Sequence, residues 1–248
     1  MAKIIFFSLF SFLSFAFTGR VQQNPQSVDK ITFPASDGLL VTADIYLVND
    51  SLPYMILCHQ AGYSRGEYVE TATKFCHLGY NCIAVDLRSG GGVNGVQNET
   101  ASLAASQKLP AEYLDAEKDI IAAIDYAYTK SKKKVFLVGS SYSASLVLKI
   151  GATNQKVSAV MAFSPGEYFG KKLNLKDAIK NITVPVFVTS TKKEAKDVSK
   201  LISDINPKIK QQFIPTEEGK HGSSCLWKDN PNYHEYWIAI LMFTKQVK

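Results

Sequence analysis

Val135-Phe136-Leu137-Val138 runs directly into Gly139-Ser140-Ser141-Tyr142-Ser143-Ala144 and then into an apolar stretch that ends at Ile150. Four consecutive apolar, strand-favouring residues predict a strand buried on both faces, and Ala144 to Ile150 predicts a buried helix. The pattern between them is Gly-x-Ser-x-Ser. A direct strand-to-helix turn with small residues two before and two after Ser141 strains the backbone at that serine. It also lifts the hydroxyl above the sheet. Ser141 is thus a candidate nucleophile. The competing reading makes the serine pair a plain helix cap, a role Ser fills well and Ser140 could take.

Working outward, strands alternate with helices. Val28–Phe33 and Leu39–Val48 predict an opening hairpin around Ser36-Asp37-Gly38. Tyr54–Cys58, Asn81–Val85, Val157–Phe163, Val184–Thr189 and Ile209–Ile214 predict further strands. Helices are expected over Tyr68–Leu78, from near Pro110 with an Ala116, Ile120, Ile124, Ala127 stripe, over Glu194–Ile205, and from Pro231 onward. Residues 88–110 predict a Gly/Ser/Asn-rich connection. Apolar strands interleaved with helices imply an α/β fold: a mostly parallel sheet of about eight strands, flanked by helices on both faces, with no large cap. The 248-residue chain is 46% hydrophobic and 20% charged, with a formal charge of +6. Residues 21–248 fit one such domain. Lysine clusters such as Lys132-Lys133-Lys134 are interleaved with acids and bring no nucleic-acid motif, so no nucleic-acid partner is expected.

A serine nucleophile needs a base, and the base needs an orienting acid. In parallel α/β sheets chemistry gathers beyond the carboxyl ends of the strands. Of the four histidines, His77 and His234 fall within predicted helices, and His59 follows the strand that ends at Cys58. His221, in Glu218-Gly219-Lys220-His221-Gly222 after the last strand, is the candidate base. The loop after Thr189 offers two acids, Glu194 and Asp197. Glu194 is the preferred acid and Asp197 the alternative. An oxyanion hole needs two backbone donors. Tyr142, next to Ser141, supplies one. The loop His59-Gln60-Ala61-Gly62 supplies the other, by preference Ala61, with Gln60 as the alternative.

The segments His59-Gln60-Ala61-Gly62, Asp86-Leu87-Arg88-Ser89-Gly90-Gly91, Gly139-x-Ser141-x-Ser143 and His221-Gly222 resemble the α/β-hydrolase fold in order and spacing. The uncapped layout resembles its dienelactone-hydrolase-like branch. The resemblance implies a Ser141–Glu194–His221 triad, no cofactor, and a small-molecule ester as substrate. The chain departs from the branch in three places. Ser141 stands where dienelactone hydrolases proper use Cys, Ser143 replaces the last elbow glycine, and Glu194 sits where Asp is commoner. The expected activity is a secreted serine hydrolase, a carboxylic ester hydrolase working through an acyl-enzyme. The alternatives are a peptidase or amidase of the same fold, or a non-catalytic binding protein on the scaffold.

Met1-Ala2-Lys3 followed by uncharged Ile4–Phe17 and the small residues Ala16, Thr18 and Gly19 matches a signal peptide. The apolar run is short for a membrane span. Residues 1–20 are therefore expected to be removed, leaving an exported protein, periplasmic or extracellular, with no stable membrane insertion. In an oxidising compartment Cys58, Cys76, Cys82 and Cys225 could pair, and only Cys76 and Cys82 are near neighbours. No Cys or His spacing suits a metal. Asn49, Asn98 and Asn181 head Asn-x-Ser/Thr triplets.

Overall fold

The computed structural model describes residues 24–247. The expected signal peptide therefore lies outside the described residues. In chain order the elements begin with β1 (Ser27–Pro34), β2 (Leu40–Leu47), β3 (Tyr54–Cys58), α1 (Ala72–Cys76) and β4 (Asn81–Val85). A small hairpin of β5 (Gly92–Val93) and β6 (Val96–Gln97) follows, then α2 (Glu99–Ser106) and α3 (Glu117–Ser131). The second half holds β7 (Val135–Ser140), α4 (Tyr142–Thr153), β8 (Val157–Phe163), α5 (Leu175–Ile179), β9 (Val186–Thr189), α6 (Ala195–Leu201), β10 (Lys210–Phe213) and α7 (Tyr233–Gln246).

Eight strands form one sheet in the order β1-β2-β4-β3-β7-β8-β9-β10. The β1–β2 and β2–β4 pairs are antiparallel and all the others parallel. Alternate residues of the central strands feed two separate cores. Ile56, Cys58, Val135 and Leu137 pack with α3 and α4 through Ile120, Ile124, Leu146 and Ile150. Met55, Leu57, Phe136 and Val138 pack with α1 and α7 through Phe75, Ile240 and Phe243. This period-2 split is why those strands read as continuous apolar runs.

The mostly parallel eight-stranded sheet and the long helices agree with the sequence reading, and the shorter elements depart from it. The helix expected over Tyr68–Leu78 is α-helical only over Ala72–Cys76, preceded by a 3₁₀ turn over Arg65–Tyr68. Glu67, in that turn, is fully buried. The connection expected over residues 88–110 contains α2, whose Asn98 Oδ1 accepts the Ala101 N–H at 2.7 Å. Its Glu-Thr-Ala-Ser-Leu-Ala-Ala-Ser composition has no clear apolar stripe to announce it. The helix expected from Pro110 begins at Glu117, and its Ala116, Ile120, Ile124 and Ala127 are fully buried, as the stripe requires.

All four cysteines are free and buried, so the possible Cys76–Cys82 bridge does not form. Asn98 is also buried, with its amide nitrogen donating to Leu87 O at 2.9 Å. That site is closed to glycosylation. Among the described residues no helix is long and apolar enough to cross a membrane.

Candidate active site

β7 ends at Ser140 and α4 starts at Tyr142, leaving Ser141 alone at the corner. Its backbone has φ +58° and ψ −122°, a conformation that L-residues rarely adopt. The corner is possible because strand and helix nearly touch. A Cβ on Gly139 would lie 2.5 Å from Ser143 O and 2.7 Å from the Ala144 Cα. The Ser141 N–H donates to Phe163 O at 2.8 Å, tying the corner to β8. Ser143, in place of the last elbow glycine, fits because its Oγ accepts the Ser140 N–H at 2.9 Å and reaches Cys58 O at 2.8 Å.

The Ser141 side chain does not cap α4. Its Oγ lies 2.8 Å from His221 Nε2, and His221 Nδ1 lies 2.5 Å from Glu194 Oε1. Glu194 Oε2 accepts the Ser164 hydroxyl at 2.7 Å and the Thr191 N–H at 3.1 Å. Burial works to raise the Glu194 pKa. The hydrogen bonds from His221 and Ser164, with the His221 charge, outweigh it and hold the carboxyl at about 2. Nδ1–H therefore faces an ionised carboxylate, which leaves Nε2 as an acceptor toward Ser141. The alternative acid Asp197 is not brought to the site. It projects from the first turn of α6 into solvent, 82% exposed, with Lys200 Nζ 2.9 Å away.

The two expected oxyanion donors sit on the same cluster of loops. Gln60 is excluded as a donor, because its N–H is given to Glu67 Oε2 at 2.8 Å. Ala61 N–H and Tyr142 N–H have no acceptor among the described residues. His59 shapes this loop from within: Nδ1 lies 2.8 Å from Gln60 O, and Nε2 accepts the Leu87 N–H at 2.8 Å. Burial lowers the His59 pKa to about 4. It is neutral and no base for Ser141. His77 meets Asn24 Oδ1 at the surface, and the His234 ring lies tilted against Tyr233.

A cavity of about 640 Å³ is lined by Ser89, Ala101, Ala105, Tyr113, Tyr168 and Phe169, among others. Its aromatic walls come from the loops after β8 and before α3. Tyr113 stacks on Tyr142 with centroids 4.4 Å apart, and the Tyr168 hydroxyl donates to Ser164 O at 2.9 Å. Arg88 lies at its base, but its guanidinium is consumed by Asp37 at 2.6 Å and Asp119 at 2.8 Å. Lys172 pairs with Glu112 at the rim. Glu67, Ser140, Ser164 and Ser223 surround the candidate residues; the sequence offered Ser140 only as a helix cap and gave no role to Glu67 or Ser223. The serines flanking Ser141 and following His221-Gly222 were the available signal. Among the described residues no cluster of three or more His, Cys, Asp or Glu could hold a metal ion.

The dienelactone hydrolase family model matches residues 46–217, more than half of the chain. No curated protein sequence matches it. Solved structures share its fold. An esterase of Pyrococcus furiosus has 16% identity and a TM-score of 0.63, covering 89% of this chain and 90% of that one. A dienelactone hydrolase of Anabaena variabilis has 11% identity and a TM-score of 0.66, covering 89% and 97%. The esterase domain of a Rhodothermus marinus protein has 13% identity and a TM-score of 0.63, covering 90% and 100%. With that match and the α/β-hydrolase sheet, the chain belongs to the dienelactone hydrolase family and is a hydrolase.

Proposed function

We propose that the protein hydrolyses carboxylic esters through an acyl-enzyme on Ser141. The observation that carries this reading is the Ser141 Oγ–His221 Nε2 distance of 2.8 Å, continued by His221 Nδ1–Glu194 Oε1 at 2.5 Å. Ser141 Oγ forms a bond to the acyl carbon while its proton passes to His221 Nε2. The carbonyl π electrons move to the oxygen, which Ala61 N–H and Tyr142 N–H receive. Each such preorganised donor is worth about 10²–10³ in turnover. When the tetrahedral adduct collapses, the C–O bond to the alcohol breaks and the alkoxide takes the proton back from Nε2. Water, giving a proton to His221, then attacks the acyl carbon; the bond from that carbon to Ser141 Oγ breaks, the carboxylic acid leaves, and Oγ takes the proton back from Nε2. Glu194 holds the ring in the right tautomer and balances the imidazolium charge.

The cavity supports an uncharged substrate with a bulky or aromatic acyl or alcohol group. Its lining includes Tyr113, Tyr168 and Phe169 with the small Ala101 and Ala105. The nearby charges, Arg88 and Lys172, are already paired. Export is part of the proposal, on the charge and apolar pattern of residues 1–20. The proposal treats residues 21–248 as one domain.

A fluorophosphonate probe tests the nucleophile. Wild type is expected to be labelled at Ser141, and Ser141→Ala to stay folded and unlabelled. Equal labelling of the variant rejects the mechanism. A series of p-nitrophenyl esters beside matching anilides separates esterase from amidase. Intact mass of exported protein is expected to place the mature start near residue 20.

A further inference from the structure

Glu67 is a fully buried carboxyl group with no cation bonded to it among the described residues. Burying such a polar group is costly unless it is fully hydrogen-bonded, so its retention needs a cause. Its three donors come from three different loops. Oε1 accepts the Ser140 hydroxyl at 2.7 Å, from the residue before the nucleophile. The same oxygen accepts the Ser223 hydroxyl at 2.6 Å, two residues after His221. Oε2 accepts the Gln60 N–H at 2.8 Å, one residue before the oxyanion donor Ala61. The Ser223 N–H donates in turn to Ser140 Oγ at 2.8 Å, closing the cluster. At Gly222 (φ +67°) a Cβ would fall 2.4 Å from Ser140 Oγ, so the His221 loop is pressed against this cluster.

We propose that Glu67 is a positioning residue that locks the oxyanion loop, the nucleophile corner and the His221 loop in one register. The inference rests on the roles given above to Ser141 and His221. One buried oxygen pair thus fixes the neighbours of all three working groups without touching substrate. A shift of a few tenths of an ångström in any of these loops would misplace a donor or the base. Burial pushes the Glu67 carboxyl up, and the Ser223, Ser140 and Gln60 donors and the His221 charge oppose that.

The test is Glu67→Gln, whose amide oxygen can still accept the Gln60 N–H while its NH₂ faces the serine hydroxyls. Ester turnover and melting temperature are measured for each variant. The expected result is a kcat about tenfold lower at unchanged KM. A role confined to stability would lower the melting temperature and leave kcat in place below it. An unchanged kcat overturns the inference. If Glu67→Gln does not fold, Glu67→Asp decides. It shortens the reach, so it must lose kcat at unchanged KM. A wild-type kcat in that variant overturns the proposal as well. Fluorophosphonate labelling of wild type separates the two readings. An unlabelled, inactive wild type removes both, whereas a labelled wild type with a wild-type kcat in the variant removes this one alone.

Discussion

Glu194 Oε1 lies 2.5 Å from His221 Nδ1, although 27 residues separate the two in the chain. The contact depends on where Glu194 sits, in the turn after β9 and before α6 has closed its first turn. From there the side chain points back toward the carboxyl edge of the sheet. Asp197, three residues on, already obeys the helix and points outward.

Replacing the two acids separates their roles. Glu194→Gln is expected to lose at least about a hundredfold in ester turnover, since the His221 ring loses its orientation and its cation its counter-charge. Asp197→Asn is expected to lose less than about threefold, because its partner Lys200 is a surface contact. Steady-state rates on one ester with folded proteins check both, and the reverse pattern would move the role to Asp197.

The corner at Ser141 predicts a cost for crowding it. Gly139→Ala puts a Cβ about where Ser143 O and the Ala144 Cα already stand, 2.5 and 2.7 Å away. Strand and helix must separate. The expected loss is about 1–3 kcal/mol of stability, together with activity, because the same movement displaces Ser141. Urea unfolding measures the first, and a wild-type midpoint would contradict it.

His59 predicts an acid-sensitive fold. Folded His59 titrates at about 4 because burial lowers it from 6.5. Between those values the unfolded chain binds a proton that the native one refuses. Stability is therefore full above pH 6.5 and falls as pH drops toward 4, by up to about 3 kcal/mol. Chemical unfolding at stepped pH should show this slope, and His59→Gln should flatten it. A parallel slope in the variant would assign the acid sensitivity elsewhere.

The cavity predicts where substrate size is limited. Ala105 on α2 lines it together with Tyr168 and Phe169. Ala105→Trp should raise KM for a p-nitrophenyl ester with an aromatic acyl group by about tenfold or more. The acetate ester should change less than about threefold, since acetate leaves that volume empty. Equal effects on both esters would remove the cavity from substrate binding.

Much of this protein was legible along the chain because the deciding signals are local. The strand–Gly-x-Ser-x-Ser–helix stretch specified the corner. Period-2 burial made the central strands apolar on both faces, and Gly222 after His221 and the turn before α6 placed the other two candidate residues. The structure separated Glu194 from Asp197: the helix expected from Glu194 begins at Ala195, which leaves Glu194 ahead of it and Asp197 inside, and the two point differently. What stayed illegible was nonlocal. Nothing near Glu67 in sequence announces Ser140 and Ser223, which are 73 and 156 residues away. The same holds for Asp37 and Asp119 closing on Arg88. α2 and α5 were missed because helices this short are fixed by capping asparagines and packing, and their apolar periodicity is weak. The cysteines could have paired on sequence grounds, but the packing leaves all four free and buried. The sequence thus determined which residue types could do chemistry and the order in which the fold would present them. The tertiary structure decided which of them meet, because contact between distant loops is set by how the strands order in the sheet, a property that no local stretch encodes.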